Sequence, residues 1–493
     1  MDQREKPVLG EDVPSGEGAA AGRPSPLAHR LPYLFAAALA VIYMADSLVR
    51  HAHMRSTGYD LGIFEQAIRA YSRFEAPVVP LKGPGFNLLG DHFHPWLAAL
   101  GPLYRLWPDA RLLLVVQALL IAVSVVPIGR VALERLGIRD GIAVMAAYGL
   151  SWGIQGAVSF DFHEIALAVP LLAFAMVALL EERWNAAAYW TLPVLLVKED
   201  MGLTVAAVGG YLLLKRRWRI GAALVAAGVG AIALVTLVII PLLSPTGDYA
   251  YWGSVSGGGT QHGSPDGNGG SLLASLAGLP ASMVEHPQKT VFLLTIGLTT
   301  ALAALRSPIL LVALPVVGYR VVSSMPLYWS TGRVHYNAVL MPIVFVALVG
   351  AVVAMRASPR RPVRWYARAA VPLSLVIGLA TLPRYEFAEL VKPGFYGGNP
   401  HLTAARGLVG MVPDDARVAA TNFLVPQLTG RCEVVLFPNV ERMPVDWVLV
   451  DTKRPSVVPV PIDQIPGAVA ALPREGFQKV AERDGVMLWR KRT

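Results

Sequence analysis

Thr57-Gly58-Tyr59-Asp60-Leu61-Gly62-Ile63-Phe64-Glu65-Gln66, followed further on by Gly90-Asp91-His92-Phe93-His94-Pro95, is the stretch on which the reading of this chain turns. It sets carboxylates and imidazoles between two long apolar runs. An acidic or His side chain costs several kcal/mol in hydrocarbon, so a group of them beside membrane spans marks a functional site by default.

The surrounding composition is that of a polytopic α-helical membrane protein. Of 493 residues, 54% are hydrophobic and 16% charged, and the mean hydropathy is +0.49, far above that of a soluble chain this long. Lys and Arg number 43 against 34 Asp and Glu, a formal charge of +9. These basic residues cluster in short loops between apolar runs, which is the positive-inside pattern and leaves no need for a nucleic-acid partner. The single cysteine, Cys432, can form no intramolecular disulfide.

Working outward, residues 1–30 read as a disordered cytoplasmic tail and 31–49 as a first span, an uncleaved signal anchor. Further apolar runs lie near 112–133, 141–158, 165–180, 186–197, 201–214, 220–243, 290–305, 308–322, 339–355 and 369–382. Together they suggest about eleven crossings, in a transmembrane domain over 31–383 with a first outer loop at 50–110. The runs at 186–197 and 201–214 are short, which places Lys198-Glu199-Asp200 between them in a dip of the outer surface. Basic loops at Arg135 and Arg139, at 215–219 and at 356–368 fall on one side if spans alternate, and that side is cytoplasmic. The other face receives residues 57–95, Asp161-Phe162-His163-Glu164, Lys198-Glu199-Asp200, a glycine-rich loop at 249–270 and Thr331-Gly332-Arg333-Val334-His335-Tyr336-Asn337.

Beyond residue 384 the hydropathy falls. Short β-prone runs at 417–420, 433–437 and 447–451, with helix-compatible stretches at 401–409, 424–429 and 465–472, predict a small extracytoplasmic α/β domain over 384–493. The glycines at 257–259 and 267–270 lack the strand-to-helix context of a phosphate-binding loop.

Each polar cluster has a bland reading and a chemical one. Leu61, Phe64, Ile68 and Tyr71 recur at helical spacing, so Asp60 and Glu65 are expected on an amphipathic helix lying on the outer surface. There Asp60 is either a helix N-cap or a general base or metal ligand at a cavity mouth. Pro95 opens a helix and puts His94 at its cap, which leaves 91–94 extended with His92 and His94 on one side. His92 and His94 are interfacial capping residues or ligands for a divalent metal, with Asp161 as a further ligand. His163 and its neighbours form a boundary turn or part of a substrate pocket. Lys198 and Glu199 are a structural ion pair or a cation that holds a phosphate beside a positioned carboxylate. Arg333, His335 and Tyr336 are interfacial anchors or complete the binding set. What favours chemistry is that all these clusters fall on one face.

Tyr59 to Gln66, Gly90 to Pro95, Asp161-Phe162-His163 and Lys198-Glu199-Asp200, in this order, resemble a family of bacterial predicted membrane proteins defined by a domain of unknown function. The layout is similar to that of the GT-C glycosyltransferases, with an acidic first outer loop, many spans and a soluble domain after the last. That resemblance implies a bacterial plasma-membrane enzyme that takes a sugar from a polyprenyl-phosphate carrier at the outer leaflet. It also implies Asp60 as the catalytic carboxylate, with Glu65 or Asp91 as alternates. The first loop holds no Asp-x-Asp motif. The alternatives are a transporter or flippase of an envelope precursor, with charged residues near Lys198 lining its path, and a non-catalytic envelope scaffold.

Overall fold

In the computed structural model the described residues are 26–251, 276–440, 443–454 and 459–492. Most of the tail expected at 1–30, and most of the glycine-rich loop at 249–270, lie outside them.

Among the described residues, five helices are long and apolar enough to cross a membrane: His29–Ala52, Ala110–Leu136, Trp218–Leu243, His335–Arg356 and Arg361–Arg384. Ile138–Gly149 and Trp152–Val158, bent by 44° at their junction, make a sixth if counted as one. Glu164–Leu180 and Pro308–Val322 are shorter. The apolar runs are therefore not uniform rods. Residues 186–197, for example, divide into a helix, Trp184–Thr191, and a 3₁₀ turn, Leu192–Leu196, where Pro193 removes a backbone donor. His335–Arg356 is almost wholly buried and forms the centre of the bundle, whereas Trp218–Leu243 and Arg361–Arg384 expose most of their apolar surface. Trp218–Leu243 nonetheless approaches Gly202–Leu214 backbone to backbone: a Cβ on Gly228 would lie 2.5 Å from the Gly202 carbonyl oxygen. Small residues at such a crossing allow helices to pack closely where no water drives them together.

After the last long helix the chain builds a five-stranded sheet of order β2-β1-β3-β5-β4, from β1 (Arg417–Ala420), β2 (Glu433–Leu436), β3 (Trp447–Asp451), β4 (Phe477–Arg483) and β5 (Val486–Lys491). β2, β1 and β3 run parallel, and β5 and β4 complete the sheet as an antiparallel hairpin. The sequence reading locates the three parallel strands and omits the hairpin. Asp484-Gly485 marks its turn, with φ of 47° and 83°, the left-handed pair that a two-residue hairpin requires.

The first loop and the sheet share one core. Leu61, Phe64, Ile68, Leu81 and Leu88 pack in the same cluster as Val418, Leu424, Val425, Leu428, Val434 and Leu449. This corrects the expectation of a surface helix at 60–71. The segment is a π-turn, Gly58–Gly62, followed by a helix, Ile63–Ser72, buried on nearly every side because the sheet covers its polar face. Gln66 Nε2 donates to the Val434 carbonyl at 2.8 Å, and Arg69 donates to the carbonyls of Thr429 and Cys432 at 3.1 and 2.7 Å. Glu65 is fully buried in this interface. Its Oε1 accepts from the Tyr104 hydroxyl at 2.9 Å and its Oε2 from the Thr429 hydroxyl.

Burial pushes the Glu65 carboxyl up to about 7, against the two hydroxyl bonds. A raised carboxyl favours the folded state in its protonated form. That contribution is complete below the ordinary Glu range and is lost as pH rises through about 7. The difference between the two states is on the order of 3 kcal/mol. The melting temperature of the purified protein is therefore expected to fall across that range, and Glu65→Gln to flatten the fall. An unchanged slope in Glu65→Gln would contradict the assignment.

Candidate functional site

The first loop, the 161–164 turn, the 198–200 turn and the 335–337 turn meet at one end of the bundle. The contact between the loop and Trp218–Leu243 is set by Gly90, where a Cβ would lie 2.4 Å from the Leu243 carbonyl oxygen. This close approach brings Asp91 and His92 beside the segment that follows Leu243. Pro95 is the first residue of a 3₁₀ helix, Pro95–Leu100, with His94 at its cap.

Most of the acids have settled partners. Lys82 Nζ donates to Asp91 Oδ2 at 2.5 Å, and the Tyr251 hydroxyl donates to Asp91 Oδ1 at 3.1 Å. Burial alone would raise the Asp91 carboxyl, but His92 and Lys82 hold it down at about 2. Glu199 is buried and accepts from the Phe93 amide at 3.1 Å and the Tyr249 hydroxyl at 3.1 Å, with His92 Nδ1 at 2.7 Å. The His92 ring stacks on Tyr251 with centroids 4.5 Å apart. Glu164 lies 2.5 Å from His163 Nδ1 and 3.3 Å from Lys198 Nζ, all three being buried. The rings of His163 and His335 stack at 3.3 Å, and Lys198 Nζ lies 6.0 Å from the Tyr336 ring centre.

Asp161 faces the loop. Its Oδ2 accepts from the Thr57 amide at 2.8 Å and the Thr57 hydroxyl at 3.1 Å. Its backbone has a φ of 109°, a strained value for a side-chain-bearing residue. Gln117 spans this turn, with Nε2 donating to the Asp161 carbonyl at 2.5 Å and Oε1 accepting from the His163 amide at 2.9 Å. Burial pushes the Asp161 carboxyl up to about 6 despite the Thr57 bonds.

Asp60 differs from its neighbours. It is half-buried on the π-turn and is not an N-cap, since Thr57 precedes the turn and Gly62 precedes the helix. Among the described residues no donor and no ion-pair partner reaches its carboxylate, while Asp161, Glu164, Lys198 and Lys82 lie within its electrostatic reach. Burial, then the Asp161 and Glu164 charges, hold it well above the usual carboxylate range, opposed by the two lysines.

The geometry thus brings together Asp60, Asp91, His92, Asp161, His163, Glu164, Lys198, Glu199, His335 and Tyr336 around one cluster. Glu65 lies apart, satisfied within the interface with the sheet. Arg333 is exposed at the rim, with its charge still felt at Asp161. The expected metal set is not assembled: His92 pairs with Glu199, His94 packs edge-on against Phe64, and Asp161 accepts from Thr57. Among the described residues no group of three or more His, Cys, Asp or Glu is placed to hold an ion.

Sequence reasoning missed four contributors. Lys82, in the turn Lys82-Gly83-Pro84, carries no periodic signal. Tyr249 and Tyr251 lie at the edge of the glycine-rich loop at 249–270. Arg320, a lone charge within the apolar run 308–322, was open to detection because such a charge needs a partner. It is buried and donates to the Tyr336 carbonyl at 2.5 Å and Asn337 Oδ1 at 3.2 Å, and Asn337 Nδ2 donates to the Ser330 carbonyl at 3.0 Å. Arg320→Met, which frees this turn and removes one of the cations near Asp200, is expected to destabilise the protein by about 3 kcal/mol. Chemical denaturation checks this, and an unchanged midpoint would contradict it.

The fold has solved relatives. The crystal structure of ArnT from Cupriavidus metallidurans bound to undecaprenyl phosphate aligns over 93% of this chain and 97% of that one, with a TM-score of 0.50 and 13% identity. The apo form aligns over 94% and 98%, with a TM-score of 0.48 and 14% identity. At 13% identity the likeness to the lipid-bound form is one of fold, spans followed by a small sheet. No curated protein matches the chain. The model of the predicted membrane protein family DUF2079 matches residues 50–488, and the chain belongs to that family.

Proposed function

We propose that this protein is a GT-C-type glycosyltransferase that uses a polyprenyl-phosphate-linked sugar at the outer face of a bacterial plasma membrane. In this reading the chain makes about eleven crossings, some of them bent or broken, with a cytoplasmic N-terminus and the sheet outside the membrane. The transmembrane domain runs over 31–383 and the extracytoplasmic domain over 384–493.

The observation that carries the reading is the state of Asp60. It is a half-buried carboxylate with no hydrogen bond among the described residues and a raised proton affinity, and it has Lys82 and Lys198 in its field. A general base requires these properties. Asp60 takes the proton of an acceptor hydroxyl as its oxygen bonds to the anomeric carbon. The bond from that carbon to the carrier phosphate oxygen breaks, and the electron pair leaves with the polyprenyl phosphate. Lys198, held by Glu164, and Lys82, held by Asp91, stabilise the departing phosphate. His163, Glu199, His335 and Tyr336 shape the pocket around the sugar. ArnT, with the same fold, was crystallised with undecaprenyl phosphate, which supports a lipid carrier of this kind here. No step is routed through a metal: His92 and Asp161 are engaged by Glu199 and Thr57, and no group of three or more candidate ligands is assembled among the described residues.

Asp60→Asn keeps the shape and removes the base. It is expected to lower transfer about 100-fold or more, read as loss of the envelope glycans that disappear when the gene is deleted. Full retention of those glycans would overturn the catalytic role. In the wild type the rate is expected to climb with pH above the usual Asp range, because the base acts only when ionised.

A further inference from the structure

The turn that carries Asp60 is gripped by the soluble sheet. Gly58–Gly62 is a single π-turn interrupted at Tyr59, whose φ and ψ are −88° and 46°, and Thr57 supplies no side-chain cap. The first amides of such a turn have no partner within it and must be satisfied from outside. The Thr57 amide goes to Asp161, on the bundle side. The next two go to one residue: Gly58 N donates to the Asn422 carbonyl at 2.8 Å and Tyr59 N donates to Asn422 Oδ1 at 2.9 Å.

Asn422 is buried and sits two residues past the carboxyl end of β1. Its neighbour Thr421 is fixed to β3 twice: the Thr421 amide donates to the Leu449 carbonyl at 3.1 Å, and the Asp451 amide donates to Thr421 Oγ1 at 3.0 Å. Van der Waals contact adds a second restraint. A Cβ on Gly58 would lie 2.5 Å from Val425 Cβ, and one on Gly62 would lie 3.0 Å from Val425 Cγ1. In open α/β sheets the carboxyl ends of parallel strands are where ligands bind. Here that edge holds a turn of its own chain.

We propose that Asn422 is a positioning residue for the Asp60 carboxylate, which makes the C-terminal sheet a working part of the active site rather than an appended module. This rests on the reading of Asp60 as the base. Asn422 touches no substrate; it fixes where the carboxylate stands, and a misplacement near 1 Å at a reacting group costs about 100-fold in rate.

The test uses the full-length protein in lipid nanodiscs. Total polyprenyl-phosphate-linked sugars extracted from the envelope serve as donor, total envelope glycans from the gene-deletion strain supply the acceptor hydroxyl, and release of free polyprenyl phosphate is the readout. Asn422→Ala is expected to lower kcat about 10-fold to 100-fold with KM within about 2-fold. Amide hydrogen exchange is expected to quicken in a peptide covering 57–64 and to stay at wild-type rates in the long helices. Gly58→Ala, which drives the turn off Val425, is expected to give the same kcat loss, and Val425→Gly added to it to restore kcat. The double variant decides the matter if Asn422→Ala accumulates poorly. If Asp60→Asn abolishes turnover while Asn422→Ala and Gly58→Ala keep wild-type kcat, the positioning role fails and the reading of Asp60 stands. If Asp60→Asn itself keeps turnover, both fail. Loss of kcat in Gly58→Ala without rescue by Val425→Gly would also overturn the proposal.

Discussion

The backbone amides of residues 57 to 59 are the constraint on which the arrangement depends. They open a turn too short to satisfy them, so they reach outward to Asp161 on one side and Asn422 on the other. The first contact ties the outer loop to the helical bundle and the second ties it to the sheet. Between them stands Asp60. The rest of the loop follows from being held there: Phe64 meets Phe162 and His163, Gln66 and Arg69 reach the sheet, and Gly90 lets the far end of the loop lie against Leu243.

The second constraint is charge balance. Asp60, Asp91, Asp161, Glu164, Glu199 and Asp200 crowd this end of the bundle, and acids this close raise one another's proton affinity unless cations intervene. The structure answers with specific pairings: Lys82 with Asp91, Lys198 with Glu164 and His92 with Glu199, while Arg320 pins the turn that carries Tyr336. Asp60 is left with no hydrogen-bonded partner among the described residues, with lysines near but not bound to it. A phosphate brought to those lysines would meet cations already oriented, which is how preorganised sites stabilise developing charge.

Much of this was legible in the sequence because hydrocarbon makes polar residues conspicuous. Asp60, Asp91, Asp161, His163, Lys198 and His335 stand out against apolar runs, and the structure draws them together. The three parallel strands were legible from short β-prone runs, and the Asp484-Gly485 hairpin turn was present but passed over. What sequence could not supply is partnership across long separations. Glu65 and Asp60 look alike on a helical wheel, yet one is sealed against Thr429 and Tyr104 and the other opens on the cluster. The difference is made by a sheet more than 350 residues away, docking on the face that hydropathy assigned to water. His92, His94 and Asp161 likewise carry metal-ligand chemistry, but His92 pairs with Glu199, Asp161 accepts from Thr57 and His94 packs on Phe64, contacts that no spacing rule reveals.

The most direct test of the central claim is an electron cryomicroscopy map of the full-length protein in nanodiscs containing undecaprenyl phosphate. Phosphate density is expected within hydrogen-bonding distance of Lys82 or Lys198, with the Asp60 carboxylate facing the space beyond the phosphate where a sugar would sit. Phosphate density elsewhere, with these lysines unmoved from Asp91 and Glu164, would contradict it.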